Sequence, residues 1–287
     1  MTPLVTVGLS CFNEEAFVAH AINSILVQTF GHWELIAIDD GSSDTTANVL
    51  RTVRDPRVQV IVDGQHKGLA ARLNQIVGLA AGRYVARMDA DDVSHPRRIE
   101  RQVEYLESHP NIDVLGTGMA IIDRRGQVSG LRSLPEDAFA TDEALIAHAT
   151  ICCRTDWIRR HPYNEHNPRC EDWELWRSAG QVAGKNLTEP LYFYREFDSF
   201  RLSKYLGRQA RMMKSHAREG KFKRLANSLF RSAVYGGAAI TGMTDTLIAR
   251  RSTPISGSQK SELQKVYDDV LRRRLEDGEQ AAPARNA

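Results

Sequence analysis

In Arg83-Tyr84-Val85-Ala86-Arg87-Met88-Asp89-Ala90-Asp91-Asp92 a largely apolar run leads directly into three carboxylates. Residues 83–88 read as a buried strand that ends at Asp89. Carboxylates this close raise one another's pKa unless donors or a cation neutralise them, and hard divalent cations prefer oxygen ligands. The plainer alternative is that an aspartate caps the helix expected after Pro96, but one cap needs only one carboxylate.

Upstream, Val5 to Ser10 reads as a strand and Glu14 to Gln28 as a helix, with Ala16, Phe17, Ala21, Ile25 and Leu26 near helical spacing. Trp33 to Ile38 is a second strand, stopped by the turn Asp39-Asp40-Gly41-Ser42-Ser43-Asp44 and followed by a helix from Thr45 to Val53. Val58 to Val62 supplies a third strand and Leu69 to Ala81 a third helix. Alternation of this kind predicts an α/β fold with a mostly parallel sheet and helices on both faces. Ligands of such sheets gather beyond the carboxyl ends of the strands, where both acidic turns fall. The turn at 39–44 also has a ligand-free reading, since Asp-Gly and Ser-Asp make tight turns and caps.

Downstream, Ile99, Val103 and Leu106 predict a helix up to Pro110, and Ile112 to Ile122 a strand. Residues 126–140 look loop-like, and a helix-strand passage is expected from Thr141 to Cys153. Glu171 to Gln181 looks helical, and Leu191 to Tyr194 looks like the last strand. The polar, alanine-rich tail over 276–287 has the composition of a disordered segment.

With 287 residues, 42% hydrophobic and 26% charged, the chain can form one full core plus a smaller appended unit. A net charge of +2 does not predict a nucleic-acid binder. Cys11, Cys152, Cys153 and Cys170 form no CxxC pair, so neither a zinc cage nor a disulfide framework is expected, and a reducing cytoplasm fits best. The N-terminus lacks a secretory pattern, and residues 233–243 fall short of the ~20 apolar residues of a spanning helix.

Together, Val5-Thr6-Val7-Gly8-Leu9-Ser10-Cys11-Phe12-Asn13-Glu14, Ser24-Ile25-Leu26-Val27-Gln28-Thr29-Phe30, Asp39-Asp40-Gly41-Ser42 and Asp89-Ala90-Asp91-Asp92 resemble glycosyltransferase family 2 in order and spacing. The resemblance covers roughly the first 195 residues. It implies a GT-A fold over 1–195, with a nucleotide-sugar half over about 1–123 and an acceptor half over about 124–195. It also implies a nucleoside diphosphate sugar donor, a divalent metal (Mg²⁺ or Mn²⁺) and inversion at the anomeric carbon. Carried over by position, Ser10, Phe12, Glu14 and Asp40 belong to the donor site, with Phe12 stacked on the base and Asp40 accepting from a uracil-like ring. Lys67 or Arg72 is expected to meet the diphosphate, and Asp89 and Asp91 to serve the donor and the metal. Arg169-Cys170-Glu171-Asp172-Trp173 resembles the family's Glu-Asp motif, which makes Asp172 the general base with Glu171 beside it. An acceptor hydroxyl needs such a base, and one displacement with one base gives inversion. The alternative is that both acids only complement the dipole of the helix they open.

The chain departs from the family after Tyr194, where Arg195-Glu196-Phe197-Asp198 lacks a histidine, so His148 and His216 are candidates for a third metal ligand only by default. The motif of polymerising members is absent, which points to transfer of a single sugar onto a glycan or lipid-linked acceptor in surface polysaccharide synthesis. Two rivals are a sugar-phosphate nucleotidyltransferase, which would need a glycine-rich phosphate loop after the first strand, and a non-catalytic nucleotide-sugar-binding protein. Residues 196–275 form a basic helical extension in which residues 201–231 carry ten basic residues against Glu219. The stripe reads equally as a solvated helix on the catalytic unit and as a contact with an anionic membrane surface on the cytoplasmic side.

Overall fold

The computed structural model describes residues 2–139, 146–167, 169–196, 202–218, 220, 222–241 and 252–272. The expected tail at 276–287 lies outside them. Four strands, β1 (Val5–Cys11), β2 (Trp33–Asp39), β3 (Val58–Val62) and β4 (Tyr84–Asp89), alternate with helices α1 (Val18–Leu26), α2 (Thr46–Arg51) and α3 (Leu69–Leu79). β5 (Val93–Ser94), α4 (Arg98–Ser108), β6 (Val114–Ile122) and β7 (Val128–Arg132) follow. Next come a 3-10 turn (His148–Thr150), β8 (Cys152–Arg154), α5 (Thr155–Arg160), α6 (Glu171–Ala179) and β9 (Gly184–Arg195). The C-terminal helices are α7 (Leu202–Arg218), α8 (Phe222–Ile240) and α9 (Gly257–Arg272).

All nine strands join one sheet in the order β3-β2-β1-β4-β8-β6-β9-β5, with β7 paired to β6. The β3-β2-β1-β4 half is parallel, as the alternation predicts. The second half is mixed, because β8 runs antiparallel to both β4 and β6 while β9 runs parallel to β6. Successive strand residues face opposite sides, so Tyr84, Ala86 and Met88 pack with Ile22, Ile25, Ile99 and Leu106 on one face. Val85 packs with Leu73, Ile76, Trp157 and Leu175 on the other. Each such side chain, fully buried, contributes about 1.5–3 kcal/mol relative to exposure.

Gln28, from the second motif, is buried and fully used. Its Nε2 donates to the carbonyls of Ser24 at 2.8 Å and His95 at 2.9 Å, and its Oε1 accepts from Ile99 N at 3.0 Å. The amide thereby fastens α1 to the entrance of α4 and fixes the backbone leaving the acidic turn.

Three sequence expectations change. The segment at 126–140 contains β7, which forms a hairpin with β6 around the turn 123–127, its register shifted between Ile121 and Ile122. β9 extends N-terminally beyond 191–194 to Gly184, because its polar half pairs with β6 through irregularities at Gly118 that accommodate Pro190. Helix α5, absent from the expectations, occupies 155–160 and buries Trp157 and Ile158.

Helix α9 packs onto the sheet, where Leu263, Tyr267 and Val270 share a buried cluster with Val93, Ala120, Ile122, Val128 and Phe193. It lies within 196–275, yet its apolar stripe closes the core of the sheet. Among the described residues no helix is long and apolar enough to cross a membrane. All four cysteines are buried free thiols.

Candidate functional site

The carboxyl ends of β1, β2 and β4 lie side by side, with Ser10 opposite both Ile38 and Asp89, and Cys11 opposite Asp39. The loop after β1 and the turn after β2 are laced into one wall. Asn13 N donates to Ser42 Oγ at 2.9 Å, Ser43 N to Asn13 Oδ1 at 2.8 Å, and Glu14 N to Thr46 Oγ1 at 2.8 Å. Gly41 sits at φ +73, and a Cβ there would meet the Gln65–His66 backbone at 3.0 Å, so only glycine fits without strain.

The carboxylate of Asp40, 3% exposed, accepts from Lys67 N at 2.8 Å, Gly68 N at 3.0 Å and Arg72 Nε at 2.7 Å, while His66 Nδ1 donates to the Asp40 backbone carbonyl at 3.0 Å and lies 3.0 Å from Oδ2. Those three donors take up most of the acceptor capacity of the carboxylate. His66, its side chain 61% exposed, is the most open of these neighbours. Phe12, 45% exposed, has its ring 4.4 Å from that of His66 and forms an open apolar platform beside it.

Arg72 is placed differently from the expectation that it meets a diphosphate. Its side chain is 0% exposed, and its remaining nitrogens donate to Asp63 at 2.7 and 2.9 Å and to the Gln65 carbonyl. An arginine so enclosed braces the pocket wall and has no free edge to offer a phosphate. Lys67 Nζ, more open, pairs with the same Asp63 at 3.2 Å.

Beyond β4, one carboxylate oxygen from each of Asp89, Asp91 and Asp92 lies within 4.8 Å of the others. Asp89 is gripped by Arg87, Nη2 to Oδ1 at 2.5 Å and Nη1 to Oδ2 at 3.1 Å. Asp92 is buried, accepts from Arg195 N at 2.7 Å, and is held well above the usual carboxylate range by burial and then by Asp91 and Asp89. Burial, then the neighbouring Asp89, pushes Asp91 up to about 6. Glu14 enters the same field and is pushed up to about 7 by burial, then by Asp91, Asp44 and Asp89. Oxygen-rich, crowded and electrostatically strained, this cluster has the chemistry of a hard-cation site.

Glu171, Asp172 and Glu174 occupy the first turn of α6, where the helix dipole favours negative charge. Asp172 Oδ1 accepts from Trp173 N at 2.7 Å, and Glu171 Oε1 from Arg169 N at 2.8 Å. Tyr163 is buried, and burial raises its pKa while Arg87 opposes that rise; smaller upward contributions come from Cys153, Asp172 and Asp89. Tyr163 also hydrogen-bonds His148 Nε2 at 2.9 Å. His148 therefore faces Tyr163 and Trp176 and is not among the clustered metal-ligating groups, while the side chain of His216 is not among those described.

Sequence reasoning missed Arg87, Tyr163 and Arg195. A charged residue inside an apolar strand was the available signal for Arg87, while Arg195 stands only at the end of the last strand. Tyr163 carried none.

The family model described as Glycosyl transferase family 2 matches residues 6–167. The chain belongs to glycosyltransferase family 2. It is 38% identical over 205 residues to EpsE of Bacillus subtilis, itself assigned as a glycosyltransferase, covering 68% of this chain and 73% of that protein. It is 29% identical over 178 residues to the Escherichia coli enzyme named UDP-Glc:alpha-D-GlcNAc-diphosphoundecaprenol beta-1,3-glucosyltransferase WfgD, covering 61% of this chain and 69% of that one. Among solved structures, S. aureus TarS 1–349 in complex with UDP-GlcNAc aligns with TM-score 0.60 and 17% identity over 78% of this chain and 71% of that one. The mannosyltransferase PcManGT from Pyrobaculum calidifontis, in complex with GDP-Man and Mn2+, aligns with TM-score 0.56 and 15% identity over 96% and 88%. The fold of this family 2 member is thus of the GT-A type, and the chain is a sugar-transferring enzyme. Membership sets aside the nucleotidyltransferase reading. Asp172 and Arg195 lie beyond the matched residues.

Proposed function

We propose that this glycosyltransferase moves one sugar, with inversion, from a UDP-linked donor to a hydroxyl of a glycan or lipid-linked acceptor in surface polysaccharide synthesis. The observation that carries the reading is the convergence of one carboxylate oxygen from each of Asp89, Asp91 and Asp92 beyond β4, beside the carboxyl ends of β1 and β2. Relatives and neighbours support the substrate class, since WfgD is named for UDP-glucose and a diphosphoundecaprenol acceptor, and the TarS structure holds UDP-GlcNAc.

The base rests on the Phe12 platform with its ring N–H toward Asp40, while Ser10 and Glu14 line the donor pocket. Asp91, helped by Asp89, would hold Mg²⁺ or Mn²⁺, because their oxygens converge beside Asp92, one oxygen of which accepts from Arg195 N. When bound, the cation offsets the charge that builds on the departing diphosphate. Asp172 takes the proton from the acceptor hydroxyl as it attacks the anomeric carbon, and the dipole of α6 together with Glu171 sets the field in which it does so. The catalytic unit comprises residues 1–195 completed by α9, and the enzyme works in the cytoplasm beside the membrane that carries its acceptor.

The test combines UDP-sugar turnover with thermal shift by UDP, each with and without Mn²⁺. A UDP shift that grows with Mn²⁺ and is lost in Asp91→Asn supports the assignment. Equal shifts with every nucleoside diphosphate, unaffected by Mn²⁺, would overturn it.

A further inference from the structure

Helices α7 and α8 lie outside the transfer chemistry. Neither contains an aspartate or a glutamate, and residues 201–231 as a whole hold ten basic residues and one acid. The two helices pack on each other, and Gln209, Ser228 and Ala238 are buried. Elsewhere on α8, Phe222 is 75% exposed, Leu229 54% and Phe230 69%. Ala226, Ala233 and Gly237 are exposed as well. At 3.6 residues per turn these six positions fall on one stripe about 100° wide, free of charge. A contiguous apolar stripe facing water marks a contact surface, whereas singly scattered apolar residues do not. Arg231 is exposed on the side of α8 away from this stripe, and Lys214 is exposed on α7.

We propose that the Phe222-Leu229-Phe230 stripe of α8 docks on an anionic bilayer, its apolar side chains entering the boundary between headgroups and acyl chains, with the net basic charge of residues 201–231 drawing the helix pair to the surface. Charge selects this occupant. A second copy docked through the same stripe would set one acid-free helix pair against another, whereas an anionic surface neutralises both helices. No described helix crosses a membrane, so the contact is that of a helix lying in the interface plane. The proposal gives the lipid-linked acceptor reading a physical address; it rests on that reading for its purpose and on α8 alone for its geometry.

The test uses the full chain and sedimentation with vesicles of phosphatidylcholine alone or mixed with phosphatidylglycerol. Binding to the mixed vesicles that falls as salt rises is expected, with little binding to phosphatidylcholine alone. The triple variant Phe222→Ser, Leu229→Ser, Phe230→Ser should lose affinity by roughly tenfold or more, because each buried apolar side chain contributes on that scale. UDP thermal shift with Mn²⁺, measured on the same preparations, should be unchanged in the variant. Vesicle binding that survives the triple substitution overturns the proposal, as does wild-type protein that ignores anionic vesicles. Self-association that the variant abolishes, without any vesicle binding, would assign the stripe to a second copy. A vanished UDP shift in the wild type would count against the donor site and leave the docking result to stand alone.

Discussion

Arg195 donates from Nη2 to the hydroxyl of Tyr267 at 2.9 Å, across the 72 residues that separate the last strand from the last helix. The same guanidinium donates from Nε to the Asp91 carbonyl at 2.8 Å and from Nη1 to the Asp123 carbonyl at 3.0 Å, and it lies over the Phe17 ring at 4.2 Å. Arg195 is 3% exposed, so these partners stand in for its water. Tyr267→Phe leaves one buried N–H of a cation unmet, a loss of about 1–3 kcal/mol. The expected outcome is a lower Tm together with a higher Mn²⁺ requirement for turnover, because the backbone of the acidic turn loses its brace. A Tm drop with an unchanged Mn²⁺ titration would confine Tyr267 to stability.

Asp40→Asn weakens the bonds from Lys67 N, Gly68 N and Arg72 while Arg72 keeps its pair with Asp63, so it should destabilise by about 1–3 kcal/mol. His66→Ala removes the exposed member of the same cluster and should leave Tm nearly unchanged while altering UDP affinity. Chemical denaturation and nucleotide titration of both variants separate the two roles. Equal stability losses would show that His66 is as structural as Arg72.

Asp172→Asn should lower turnover by about 10²–10⁴-fold while UDP affinity persists, since a general base acts on the acceptor and not on the donor. Glu171→Gln should cost far less. Single-turnover rates alongside UDP binding are the measurement, and parallel loss of both in Asp172→Asn would assign that residue to donor binding.

Folding raises Glu14 from 4.5 to about 7 and Asp91 from 3.8 to about 6. The native state therefore binds more protons than the unfolded chain, so the contribution of these groups to stability is greatest below the unfolded values and falls as pH rises toward the native ones. Metal-free protein should lose Tm from these groups across about pH 4 to 7, and the gain in Tm from Mn²⁺ should grow over the same range. A gain from Mn²⁺ that shrinks as pH rises would contradict the site.

The parallel half of the sheet was legible because each strand-helix unit carries its own periodicity, and the acidic turns stand out because like charges side by side need an external reason. The mixed half was legible only at β6 and the apolar end of β9. β7 and the polar half of β9 are strands only because β6 offers them paired edges, and α5 is too short to show a period. Asp40 illustrates the limit at the level of one residue. Its position in the turn was visible, but the donors from residues 67–72 that hold it depend on a loop whose path local sequence does not set.

By itself, the sequence determined the family, the order of the first four strand-helix units and the acidic residues at their ends, since those depend on local patterns of burial and charge. Only the tertiary structure decided that Arg72 braces Asp40 and Asp63, that Tyr163 meets His148, and that α9 reaches back through Tyr267 to Arg195. Such contacts join residues far apart in the chain, and their energy comes from groups that meet only after the sheet has closed.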